Sequence, residues 1–76
     1  MNGDPPALDR AMLAVRGLDT DAARAKVLAT LRGVRGVVEA TPAGEAQVLV
    51  RYDGGEVTVM DLIRALRRLG FVAGMG

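Results

Sequence analysis

The sequence predicts a single α+β domain whose elements run β-α-β-β-α-β, and three observations carry that prediction. Apolar and polar residues alternate over 11–16 and, most clearly, over 46–52, which is the period of a half-buried strand. Two other stretches change period: Ala23, Val27, Leu31 and Val34 form one helical stripe, and Leu62 or Ile63, Leu66 and Leu69 form another. Glycine and proline clusters punctuate the segments between them.

The first ten residues are polar and carry Pro5 and Pro6, which disfavour helix and withhold sheet donors, so residues 1–10 read as a flexible leader. "AMLAVR" follows as the first strand, with Leu13 and Val15 on one face. Asp19 or Thr20 is placed to cap the first helix, and Asp21 sits at the positive end of its dipole. Arg24, Lys26, Arg32 and Arg35 point outward from that helix, and Gly36 is its expected stop. Gly33 inside the last turn costs about 1 kcal/mol relative to alanine.

"VVEAT" is a short second strand, closed by a turn expected at Pro42-Ala43-Gly44. "AQVLVRY" is the best strand, with Val48, Val50 and Tyr52 on its inner face, and Asp53-Gly54-Gly55 ends it. Thr58 and Asp61 have the spacing of a capping box before the second helix, whose Arg64, Arg67 and Arg68 face solvent. Gly70 stops that helix and "FVA" makes the last strand. Right-handed crossovers turn this order into a ferredoxin-like sandwich: a four-stranded antiparallel sheet of order 4-1-3-2 with both helices on one face. The domain spans 11–73, followed by a tail at 74–76. The second strand is then an edge, where Pro42 is tolerable.

Composition narrows the chemistry. The 76 residues allow one domain, with a core of small aliphatic side chains because Tyr52 and Phe71 are the only aromatics. Too few aromatics for base stacking and a net charge of +1 argue against nucleic acid as a partner. There is no cysteine and no histidine, which removes thiolate metal sites, imidazole bases and thiol nucleophiles together. No enzyme and no cofactor are expected. "MNGDPPAL" lacks the basic and apolar segments of a signal peptide, and no apolar run reaches the ~20 residues that span a bilayer, so no membrane insertion and a cytoplasmic location are expected.

Taken together, "VRGLDTDAA" at 15–23, Val27 and Leu31, "GV" at 36–37, "VLVRYD" at 48–53, Thr58, and "LIRALRRLGFVA" at 62–73 resemble the heavy-metal-associated domain. That family comprises copper chaperones, mercury-binding proteins and the amino-terminal domains of heavy-metal P-type ATPases, and the resemblance covers residues 11–73. Its motif is a glycine, a methionine and two cysteines on the loop entering the first helix. Gly17 fills the glycine position, Leu18 the methionine position, and Thr20 and Ala23 the positions of the two cysteines. A soft ion such as Cu(I) or Hg(II) needs the thiolates, so no metal is expected at Thr20 and Ala23.

The resemblance implies a degenerate module that keeps the docking surface of its family while losing the ion. The partner implied is a heavy-metal P-type ATPase or a metallochaperone, met through Leu18, Asp19, Thr20, Ala22, Ala23 and Phe71. Phe71 either caps an apolar patch with Leu18 and Ala23 or belongs to the core. Two alternatives stay open at this level: metal binding or transport through Asp19, Thr20 and Asp21 or through Met12, Met60 and Met75 (or a chain whose cysteines were replaced), and an ACT-like small-molecule regulatory domain. Helix capping accounts for the Asp-Thr-Asp run without a ligand. The methionines are expected near the end of the domain opposite the loop.

Overall fold

A computed structural model describes residues 8–75. The elements are β1 (Asp9–Arg16), α1 (Asp21–Arg32), β2 (Val37–Gly44), β3 (Gln47–Tyr52), α2 (Val59–Arg68) and β4 (Val72–Met75). The four strands form one antiparallel sheet of order β2-β3-β1-β4, the expected 4-1-3-2 read from the other edge. The α+β ferredoxin-like prediction is the observed fold. No helix among the described residues is long and apolar enough to cross a membrane.

The strand faces follow the alternation. Leu13 and Val15 on β1 and Val48, Val50 and Tyr52 on β3 are buried beneath the helices. From the helices, Val27, Leu31, Leu62 and Leu66 close the core from above with no exposed surface. Each such side chain contributes about 1.5–3 kcal/mol of burial, which suits a small aliphatic core. Ile63 and Leu62 are both buried, so the α2 stripe uses both candidates.

Several boundaries differ from the sequence reading. β1 starts at Asp9 rather than residue 11, because β3 is long enough to pair Asp9 with Tyr52 and Arg10 with Arg51. Of the expected leader, residues 1–7 lie outside the described residues. Likewise β4 runs through Gly74 and Met75, which pair with β1, and residue 76 lies outside the described residues. Phe71 precedes β4 instead of opening it; its N–H donates to the Leu66 carbonyl at 3.2 Å, which holds it in the turn that ends α2.

Pro42-Ala43-Gly44 does not form the hairpin turn. These residues belong to β2, and the turn falls at Glu45 and Ala46. An edge strand tolerates the proline, and the register shift between Pro42 and Gly44 takes up the misfit. α1 ends at Arg32, with Gly33 as its cap, three residues before the expected stop. Gly33 donates to the carbonyls of Ala29 and Thr30, a tightened last turn, while Gly36 has φ +97 and redirects the chain into β2. The buried stripe of α1 also includes Leu28, whereas Ala23 is half-buried. Leu69 is the α2 cap and is 37% exposed rather than inward, because Gly70 at φ +93 turns the chain away immediately after it.

The arginines are not all free on the surface. Arg32 donates to the Ala40 carbonyl at 2.8 Å and so ties α1 to the edge strand. At the start of α2 the capping box is complete: Thr58 N–H donates to the Asp61 carboxylate at 3.0 Å and Asp61 N–H donates to the Thr58 hydroxyl at 3.2 Å. The Thr58 backbone N–H, then its hydroxyl, then the charge of Arg64 hold the Asp61 carboxyl below the ordinary aspartate range.

Candidate functional site

The loop between β1 and α1 is set by three residues. Gly17 takes φ +93, a conformation L side chains rarely adopt, and turns the chain at the end of β1. Leu18 drops into the core and is only 5% exposed. Thr20 has extended backbone and caps α1, its hydroxyl accepting from Ala23 N–H at 3.0 Å.

The polar groups around the loop are directed at the loop itself. Asp21 pairs with Arg24 at 3.3 Å, and the Arg24 guanidinium also donates to the Leu18 carbonyl at 3.3 Å. Of the candidate contact residues, Asp19, Thr20 and Ala22 are exposed and Ala23 is half-exposed. Leu18 supports them from beneath and presents no side chain to a partner. Phe71 is half-buried, packs against the core, and lies close over Gly17, where an added Cβ would be 3.5 Å from its ring. Both readings of Phe71 therefore apply in part: one side of the ring is core, and the ring also flanks the loop.

Beside the loop lies an open cleft of about 490 Å³ lined by Val15, Arg16, Gly17, Leu18, Asp19, Arg24, Glu45 and Ala46. Arg24, Glu45 and Ala46 were not visible as site residues in the sequence. Arg24 falls on the polar side of the helical repeat, and only its reach back to the Leu18 carbonyl brings it in. Glu45 and Ala46 arrive through sheet pairing, Val15 N–H donating to the Ala46 carbonyl at 2.8 Å. Such a long-range pairing leaves no local mark in the chain.

Metal ligation fits this loop poorly. The Thr20 hydroxyl is engaged by a backbone donor, Ala23 offers a methyl group, and neither is a thiolate. Among the described residues no three His, Cys, Asp or Glu side chains are grouped to hold an ion. The methionines do not supply a substitute set. Met12 pairs with Leu49 on the open face of the sheet, Met75 pairs with Leu13 on the helix side, and Met60 stands in the first turn of α2, so the three thioethers share no face.

No protein-family model and no curated protein sequence matches the chain. Solved structures do. The copper-binding domain of HMA7, a P-type ATPase, superposes with a TM-score of 0.83 at 26% identity, covering 88% of this chain and 92% of that one. The CopZ metallochaperone gives 0.80 at 27% identity, over 87% of this chain and all of that one (100%). The yeast copper transporter domain Ccc2a gives 0.82 at 25% identity, over 92% and 96%. The nearly full-length superposition on copper-binding domains shows that this chain shares their fold, that of the heavy-metal-associated domains, and it has no cysteine anywhere in it.

Proposed function

We propose that the chain is a non-enzymatic interaction module of a copper-type metal-handling system, acting in the cytoplasm through the loop end of the domain and without carrying the ion. The observation that supports this most is the state of the loop: its frame is complete, with Gly17 turned, Leu18 anchored and Thr20 capping α1, while the two thiol positions are filled by side chains that bind no soft metal. Asp19, Thr20, Ala22, Ala23 and the outer side of Phe71 form the docking surface, and a heavy-metal P-type ATPase domain or a metallochaperone is the partner. Burial of small side chains against such a partner needs no ion between them.

The test is an anaerobic NMR titration of labelled protein, first with Cu(I), then with Zn²⁺, then with the N-terminal domain of a copper-translocating P-type ATPase. The expected result is no saturable shift with either metal and saturable shifts at residues 17–24 and 71 with the protein, weakened in Asp19→Lys. Stoichiometric metal uptake would overturn the reading, as would ATPase-domain binding that leaves the loop amides unmoved.

A further inference from the structure

The face of the sheet turned away from the helices has an apolar centre between two basic borders. Alternation puts Arg10, Met12, Ala14 and Arg16 of β1 on that face, with Leu49 and Arg51 of β3 beside them. Met12 stands opposite Leu49, and both are half-buried, as is Ala14. Ala14 in turn stands opposite Gly74 of β4, and Ala14, Ala46, Val72 and Gly74 line a groove of about 360 Å³ whose one charged wall is Arg16. The solvent face of an antiparallel sheet ordinarily reads polar at such positions. An apolar patch with a polar rim marks a contact surface.

The borders hold more positive charge than the face neutralises. At one end Arg10 and Arg51 are directly opposite across the strands, a pairing of like charges that destabilises a sheet. Glu39 meets the Nη1 of Arg51 at 3.4 Å from the β2 side, while the Arg51 Nε–H is shut off from water without an acceptor. Arg10 and, at the other end, Arg16 form no ion pair among the described residues. Three arginines against one glutamate give the face a net charge of +2.

We propose that this face binds one amphipathic helix of an acidic partner protein, laid along β1 with its apolar stripe on Met12, Ala14 and Leu49. One acidic side chain of that helix enters between Arg10 and Arg51, and another meets Arg16. Arg10 and Arg16 are six residues apart on β1, about 20 Å. Two acidic residues about eleven positions apart, three turns along one helix face, span most of that distance, and the arginine side chains reach inward over the rest.

Charge complementarity selects this occupant. Two copies of the chain facing each other would bring +2 against +2, which repels. A helix is the element that covers a sheet face in layered folds, as α1 and α2 cover the other face of this sheet. None of Asp19, Thr20, Ala22, Ala23 and Phe71 belongs to this face, so it stands or falls separately from the loop surface.

NMR titration of the full chain with two synthetic helical peptides tests the binding. Both peptides carry a leucine stripe; one has glutamates about eleven residues apart beside it, and the other has lysines there. The expected result is saturable shifts of the Met12 and Leu49 methyl signals with the glutamate peptide, and binding about tenfold weaker with the lysine peptide. Arg10→Glu with Arg16→Glu changes two exposed positions and is expected to keep a folded spectrum while preferring the lysine peptide. No saturation up to about 1 mM glutamate peptide overturns the proposal. So does equal binding of the two peptides, or shifts confined to residues 17–24 and 71. The same methyl shifts on phosphatidylserine vesicles, with the same dependence on Arg10 and Arg16, would assign the face to lipid and overturn it too.

Discussion

At Gly36 and Gly70 the same left-handed turn meets different surroundings, and the difference predicts different costs. Both have φ above +90, which disfavours any side chain by about 1–2 kcal/mol. A Cβ at Gly70 would meet nothing within 4 Å, while one at Gly36 would stand 2.7 Å from Glu56 Cβ and 3.0 Å from Val57 Cγ1. Gly70→Ala is therefore expected to lose about 1–2 kcal/mol in urea unfolding, and Gly36→Ala about 1–3 kcal/mol beyond that from overpacking. Equal losses would show that the chain at Gly36 moves aside. A glycine's need for an open turn was legible in the sequence, but its neighbours across the fold were not.

At the scale of elements, α2 is built with more local redundancy than α1. Its capping box joins Thr58 and Asp61 reciprocally, whereas α1 has only the Thr20 hydroxyl on Ala23 N–H. Asp61 titrates below its unfolded value, so its contribution is fully present above the unfolded aspartate pKa of about 3.9 and is lost as pH falls through the lower folded value. Asp61→Asn is expected to flatten the loss of helix stability with acid in that window, as followed by thermal unfolding at pH 5 and below. An unchanged acid slope would put the sensitivity elsewhere. The capping box was fully readable from two residues at the right spacing. The end of α1 was not: the helical stripe runs on to Val34 and so pointed to Gly36, whereas the helix ends at Arg32 with Gly33 as its cap and Val34 packs against the core from beyond it.

For the whole molecule, the scaffold is separable from the ligand chemistry of the loop. The loop retains Gly17, Leu18 and the start of α1, so the positions of Thr20 and Ala23 are held by the fold and not by a ligand. Replacing both, as Thr20→Cys with Ala23→Cys, is expected to create a site that takes up one Cu(I) ion per chain, detectable by native mass spectrometry under reducing conditions. The cost is loss of the hydroxyl cap, about 1 kcal/mol. Failure of the folded double variant to retain Cu(I) would mean that this loop no longer presents the two positions to one ion.

Residue pattern alone determined the element order, the inner faces of β1 and β3, the capping box that starts α2 and the absence of thiolate chemistry, because each depends on periodicity or on which atoms a side chain carries. Tertiary structure decided what depends on partners distant in sequence. Sheet pairing extended β1 to Asp9, moved the hairpin turn to Glu45 and Ala46, and placed those residues beside the loop. Packing sank Leu18 and left Leu69 exposed. Register, which no local pattern encodes, set Arg10 directly opposite Arg51 on the open face of the sheet, with Met12 and Leu49 paired beside them.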